Sequence, residues 1–329
     1  MNVLVTGGAG FIGSHLVEKL LKDKKIKKVI LIDHFEDGSK KNIIHLKNNK
    51  KLKIYKRDIR DLNNIKNLFK NISVVYHLAA IADIVPSIIN PLEYISNNFN
   101  GTINVLESMR LNNIKRIIYA ASSSCYGVTK KIPTSEIEKI QTLYPYAFSK
   151  YIAEQAIIHW ADVYKIEYIS LRLFNVYGPR SRTKGAYGAV MGVFLKQKLL
   201  NKPFTIVGNG NQKRDFVYVG DVVDAIVRAG NYKKCNKIFN VGGGNPQKIN
   251  DLVKLLNGKK TYIPKRPGEP DITFSDNTNI KKYLKWKPKV SLKDGVSILL
   301  KNINYWKDAP LWTPSKIKSA TKEWFKFLS

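Results

Sequence analysis

Acidic side chains, cysteines and long apolar runs are all scarce in this sequence, and each shortage excludes something. Only two of 329 residues are cysteine, Cys125 and Cys235. They fit neither a disulfide framework nor a CxxC or Cys/His metal pattern, so a reducing compartment, the cytosol, is the expectation. No stretch reaches the ~20 apolar residues that a membrane-spanning helix needs. The start lacks the basic, apolar and small-residue succession of a signal peptide, which predicts a soluble, unsecreted protein. Neither an internal repeat nor a low-complexity segment is visible, so the chain is expected to be folded from end to end.

The shortage of acid leaves 56 basic against 25 acidic residues, a net charge of +31. Taken alone, that balance suggests nucleic acid, an anionic membrane or acidic substrates. Of the basic residues 46 are lysine, spread over nearly the whole length and accompanied by much isoleucine and asparagine. That pattern reads as a solvated lysine-rich surface, and nucleic acid is not expected as a partner.

What is present is a core-forming supply of 44% hydrophobic residues in a chain about two domains long. Short β-branched runs at Val3–Thr6, Val29–Asp33, Lys53–Arg57, Val74–Leu78, Ile117–Ala121 and Tyr168–Leu173 predict strands. Segments with helical spacing, Ser14–Leu21 and Pro91–Leu111, fall between them. This alternation predicts an α/β fold with a doubly wound parallel sheet of the Rossmann type. After Leu173 the pattern loosens into glycine- and proline-marked loops. A nucleotide-binding domain over 1–173, with late strands from about 204–242, and a smaller interleaved lobe with a helical tail over 174–329 are expected.

Gly7-Gly8-Ala9-Gly10-Phe11-Ile12-Gly13 follows the first strand and opens the first helix. Absent side chains there let the backbone turn tightly and let a pyrophosphate approach the amides at a positive helix end. Asp33 ends the second strand, 20 residues beyond Gly13. A carboxylate at that place accepts hydrogen bonds from ribose hydroxyls and repels a 2′-phosphate, while His34 and Phe35 add no arginine, so NAD is expected over NADP.

Tyr146-Ala147-Phe148-Ser149-Lys150 sets a phenol and an ammonium four residues apart, on one face of a helix. A neighbouring cation, helped by the charge of an oxidised nicotinamide, favours the phenolate, so Tyr146 is a candidate base. The cluster Ser122-Ser123-Ser124 lies at the end of a predicted strand, where open α/β sheets place their ligands. Ser122 is the candidate partner for the same substrate oxygen. Ser123 and Ser124 fit either substrate contact or a polar junction.

Read together, TGGAGFIGSH at 6–15, Asp58-Ile59, HLAA at 77–80, NFNGT at 98–102, the serines, YAFSK and RDFVYVGD at 214–221 resemble the extended short-chain dehydrogenase/reductase family. Within it the chain looks like the UDP-glucose and UDP-N-acetylglucosamine 4-epimerases, over roughly residues 1–290. The resemblance implies Ser122, Tyr146 and Lys150 as the catalytic set, with Lys150 also holding the nicotinamide ribose. It places Asp58 and Ile59 beside the adenine, Leu78 and Ala79 in the cofactor cleft, and Asn98 facing the cofactor. Asn175, Arg214 and Arg266 would hold the nucleotide, and a small residue at Thr273, seven positions after Arg266, would admit an N-acetyl group. The dehydratases' Asp-Glu pair after the serine is replaced by Ser123 and Ser124, which argues against a 4,6-dehydratase. Uronic-acid epimerases, decarboxylases, 4-keto reductases and a non-catalytic relative remain alternatives. Relatives commonly pair through helices near 95–112 and 150–164, so a homodimer is implied. The basic, aromatic tail after Trp306 is expected to dock on the protein's own surface or on a subunit partner.

Overall fold

A computed structural model describes residues 1–181 and 189–328. Its centre is a seven-stranded sheet, parallel throughout. Six strands come from the first half: β1 Asn2–Thr6, β2 Lys28–Asp33, β3 Leu52–Lys56, β4 Val74–His77, β5 Arg116–Ser122 and β6 Glu167–Leu173. Each lies within a residue or so of the expected run. The seventh, Lys237–Val241, pairs with β6, so the order from edge to edge is Lys237–Val241, β6, β5, β4, β1, β2, β3. Between residues 204 and 242 only that segment joins the main sheet. Phe204–Val207 pairs instead with Lys260–Ile263.

Both faces of the sheet are covered at its centre, which is why β1 and β2 are apolar without alternation, whereas the edge strand β3 is largely exposed. Leu16, Val17 and Leu20 of the helix Phe11–Lys22 and Val222 and Ile226 of the helix Val219–Asn231 cover one face. Val105, Leu106 and Met109 from Gly101–Leu111 and Ala153 and Ile157 from Pro145–Tyr164 cover the other. Each such fully buried leucine or valine contributes about 1.5–3 kcal/mol. A third cluster, around Phe194, Phe204, Leu252 and Trp306, is the core of the smaller lobe. No described helix is long and apolar enough to cross a membrane.

The segment Pro91–Leu111 departs from the single helix its spacing predicts. A short helix Pro91–Tyr94 passes into a wider π-helical turn, Ile95–Asn100, before Gly101–Leu111 resumes the α-helix. The extra residue in that turn shifts the buried face, and Tyr94, Asn97 and Asn98 point inward while Ile95 and Phe99 are only partly covered.

Candidate active site

The sheet reverses direction of winding between β1 and β4, and loops leaving the C-terminal ends of these two strands separate to form a crevice. A cavity of about 580 Å³ extends from there to the smaller lobe. Gly7, with φ of +69°, makes the turn after β1, and a Cβ there would meet the Ala79 backbone nitrogen at 2.7 Å. A Cβ on Gly13 would meet the Gly7 carbonyl oxygen at 2.1 Å. Gly10 is the residue before the first helix, and no side chain caps that end. Its absent Cβ would stand in the cavity, with the Gly7 oxygen at 3.1 Å as the one described neighbour. Phe11, Ile12 and Gly13 also line the cavity, so the uncapped first turn of the helix opens onto it.

Asp33 is held rigidly at the end of β2. One carboxylate oxygen accepts the Ala9 N–H at 2.9 Å and the other the Phe35 N–H at 2.8 Å. A carboxylate has lone pairs for two more donors, which suits a ribose diol. Arg57 lines the cavity next to it, an arginine that inspection of His34 and Phe35 alone missed. Asp58, ion-paired with Arg60 at 2.5 Å, and buried Ile59 close this end, and Leu78 and Ala79 line the floor. These features fit a dinucleotide.

Asn98 does not face the cavity. It is 1% exposed; its Oδ1 accepts the Ile81 N–H at 2.8 Å, and its amide donates to the Ile81 carbonyl at 3.0 Å and to the Ser149 hydroxyl at 2.9 Å. The wide π turn brings Asn97 to the cavity wall instead. Asn98 therefore ties the loop after β4 to the helix that carries Tyr146 and Lys150.

Pro145 occupies the first turn of that helix, where its missing N–H is harmless, and fixes its start. Tyr146 and Lys150 then fall on one face, and both line the cavity with Ser122, Ser123 and Ser124. Burial pushes the Tyr146 phenol above its ordinary value; a hydrogen bond with Ser122 draws it back, and the negative charge of Asp83 adds to the rise. Burial brings Lys150 down to about 7, with Glu154 opposing the fall. Within the protein's own groups desolvation outweighs the other influences on both side chains. An additional positive charge beside the phenol would be needed to lower it.

Behind this pair runs a buried polar chain that the sequence did not disclose. His77, fully buried and held at about 3 by desolvation, is neutral. Its Nδ1 lies 2.6 Å from the Thr6 hydroxyl and its Nε2 2.8 Å from the Thr102 hydroxyl. Thr102 donates to the Asn98 carbonyl at 2.5 Å, so it must accept from His77 Nε2–H, and Thr6 then donates to Nδ1. Glu154 is likewise consumed internally, paired with Arg172 at 2.6 Å and accepting the Ser170 hydroxyl.

In the smaller lobe Asn175, Arg214 and Arg266 line the same cavity. Glu269, not singled out from sequence, stands between the arginines, 2.7 Å from Arg266 and 3.6 Å from Arg214. Its charge holds two cations close together until an anionic ligand competes for them. Thr273 is not among the lining residues. Its hydroxyl donates to Asn175 Oδ1 at 2.8 Å and accepts the Asp215 N–H at 3.0 Å, so it steadies Asn175 from behind.

A family model described as the NAD dependent epimerase/dehydratase family matches residues 3–242. A putative UDP-glucose 4-epimerase of Methanocaldococcus jannaschii is 40% identical over 304 residues, covering 89% of this chain and 95% of that one. The solved structure of a UDP-glucose 4-epimerase from Thermotoga maritima with UDP-glucose superposes with a TM-score of 0.86 at 34% identity, covering 93% of this chain and 99% of the other. A UDP-glucuronic acid 4-epimerase from Bacillus cereus, solved with UDP-glucuronic acid and NAD, also gives 0.86 at 34% identity, over 92% of this chain and 99% of the other.

Proposed function

Since the chain belongs to the NAD dependent epimerase/dehydratase family, we propose that it epimerises C4 of a UDP-activated neutral hexose or N-acetylhexosamine. The observation that carries the reading is one continuous cavity lined by the glycine loop, by Ser122, Tyr146 and Lys150, and by Arg214 and Arg266. Gly7–Gly13, Asp33, Asp58 and Ile59 would hold NAD, which when bound would supply reversible hydride chemistry at one carbon. Tyr146 takes the proton of the C4 hydroxyl, Ser122 hydrogen-bonds that oxygen, and Lys150 supplies positive charge beside them. Arg214 and Arg266 grip the diphosphate. Firm hold there and neutral serine hydroxyls at the hexose end let the 4-keto sugar turn over and accept hydride on its other face.

Asp83 lines the cavity, and its charge acts on Tyr146. Ser123 and Ser124, in place of an acid-base pair, supply no means of eliminating water.

Incubation with UDP-glucose, UDP-N-acetylglucosamine and UDP-glucuronate separately, without added cofactor, tests the reading. A C4 epimer of equal mass, abolished by Tyr146→Phe, is expected from one of the first two. Loss of water or carbon dioxide, or conversion of the glucuronate alone, would overturn it.

Pairing of two copies is the proposed assembly. Leu111, Val163 and Tyr164, on the helices Gly101–Leu111 and Pro145–Tyr164, are exposed apolar residues in keeping with it. Sedimentation of the wild type and Leu111→Glu tests it, a monomer in both refuting the pairing.

A further inference from the structure

The tail after Lys301 takes no part in the chemistry above, yet it is built into the smaller lobe. A single turn, Ile303–Trp306, is followed by two seven-residue helices, Pro314–Ala320 and Lys322–Leu328. Helices this short do not persist alone in water, so packing must hold them. Trp306, Ile317 and Trp324 are buried among Phe194, Phe204 and Ile206.

Two lines of contact lead from the tail to the cavity. Trp324 Nε1 donates to the Pro267 carbonyl at 2.9 Å, inside the loop between Arg266 and Glu269. Its ring packs on Tyr144, centroids 5.6 Å apart, and burial pushes the Tyr144 phenol up while the Ser124 hydroxyl draws it down against that rise. Separately, Ala309, Pro310 and Trp312 line the cavity beside Thr205. Buried Gln197 fastens these together, donating to the Trp312 carbonyl at 2.8 Å and the Thr205 hydroxyl at 2.9 Å and accepting the Thr205 N–H at 3.2 Å.

We propose that the tail is a positioning element of the nucleoside diphosphate site: Trp324 fixes the loop carrying Arg266 and Glu269, and Trp312 forms the wall beside Thr205. This rests on the reading that the cavity takes a UDP-sugar. The Arg266–Glu269 loop needs such a brace. At its apex Gly268 has φ of +71°, and a Cβ there would meet nothing within 4 Å, so the loop tip stands clear of the lobe. An arginine that moves with its loop spends the ordering entropy of that loop on every binding event, and a fixed one does not.

Calorimetric titration of UDP into the NAD-containing protein, with Trp324→Phe and Trp312→Ala as variants, tests the role. Phenylalanine keeps a ring against Tyr144 and removes only the N–H. Trp324→Phe is expected to weaken UDP by about three- to tenfold, the effect of one lost hydrogen bond, with KM for the UDP-sugar rising more than kcat falls. Trp312→Ala is expected to weaken UDP while leaving NAD retained. Both are measured well below each variant's Tm, so that general loosening, which would lower kcat and NAD content together, reads differently and counts against the proposal. Equal UDP affinity in all three proteins overturns the tail's role alone. A wild type that binds no UDP overturns the nucleotide reading, and the tail proposal with it.

Discussion

Lys150 holds its ammonium 4.2 Å from the centre of the Tyr119 ring, while Tyr119 stacks on neutral His77 with centroids 5.5 Å apart. The cation is buried at the end of the sheet with an aromatic face as one of its few favourable neighbours. That face offsets only part of the desolvation, and the side chain's pKa falls to about 7.

Stability should therefore depend on pH through Lys150. Between the ordinary value of 10.5 and about 7, the unfolded chain takes up a proton that the folded one does not, so stability falls as pH falls through that window and levels off below it. In cofactor-stripped protein, Lys150→Met should be more stable than wild type at pH 7, by on the order of a few kcal/mol, with the difference shrinking towards pH 10. Urea unfolding at the two pH values checks this; a difference that does not shrink would refute it.

His77→Phe should lose the two hydrogen bonds that join Thr6 to Thr102 and leave both hydroxyls buried. A destabilisation of about 2–4 kcal/mol is expected, together with weaker NAD retention because Ala79 N–H bonds the Thr6 hydroxyl. His77 also contributes an acid limb. Its folded value of about 3 lies below the ordinary 6.5, so the unfolded state binds more protons between them and wild-type stability falls as pH drops through that range. Thermal melts from pH 7 to 4 should show a shallower slope in the variant.

Glu154→Ala should leave the Arg172 guanidinium buried without its carboxylate and cost about 3–5 kcal/mol, whereas replacing both by leucine and methionine should recover most of that loss. Chemical denaturation of the single and double variants measures it. Equal stability of Glu154→Ala and wild type would show that the pair is solvated.

Asp33→Ser should relax the choice of cofactor. The carboxylate repels a 2′-phosphate, and Arg57 already lines the cavity beside it, so the ratio of NADP to NAD affinity should rise by about tenfold. Fluorescence titration of stripped protein with each dinucleotide reads the ratio directly. No change would mean that the phosphate is excluded by shape.

The parts of the site that sequence reading located are those made by local chemistry. A glycine loop between strand and helix, an acid ending the second strand, and a tyrosine and lysine four apart on a helix depend on neighbours in the chain, and Gly7, Asp33, Tyr146 and Lys150 all reach one cavity. Six strands were legible for the same reason. Asn98 was misplaced because a single wide turn rotates every following side chain, and nothing in the residues Ile95–Asn100 announces one. Spacing along the chain does not disclose that Thr273 hydrogen-bonds Asn175, 98 residues away. The tryptophans of the tail acquire their places only through partners far away in sequence, such as Trp324 with Pro267, and Glu269 reaches Arg214 only across the fold.

The seventh strand, Lys237–Val241, has a consequence for how the protein is made. A ribosome that has released β6 must deliver the 63 residues from 174 to 236 before that closing strand emerges. At about 5–20 residues per second, the nascent sheet carries a bare edge for on the order of 3–13 s. Its exposed amides and carbonyls are then a template for any neighbouring chain. On a crowded polysome, neighbouring chains pass that edge during this interval.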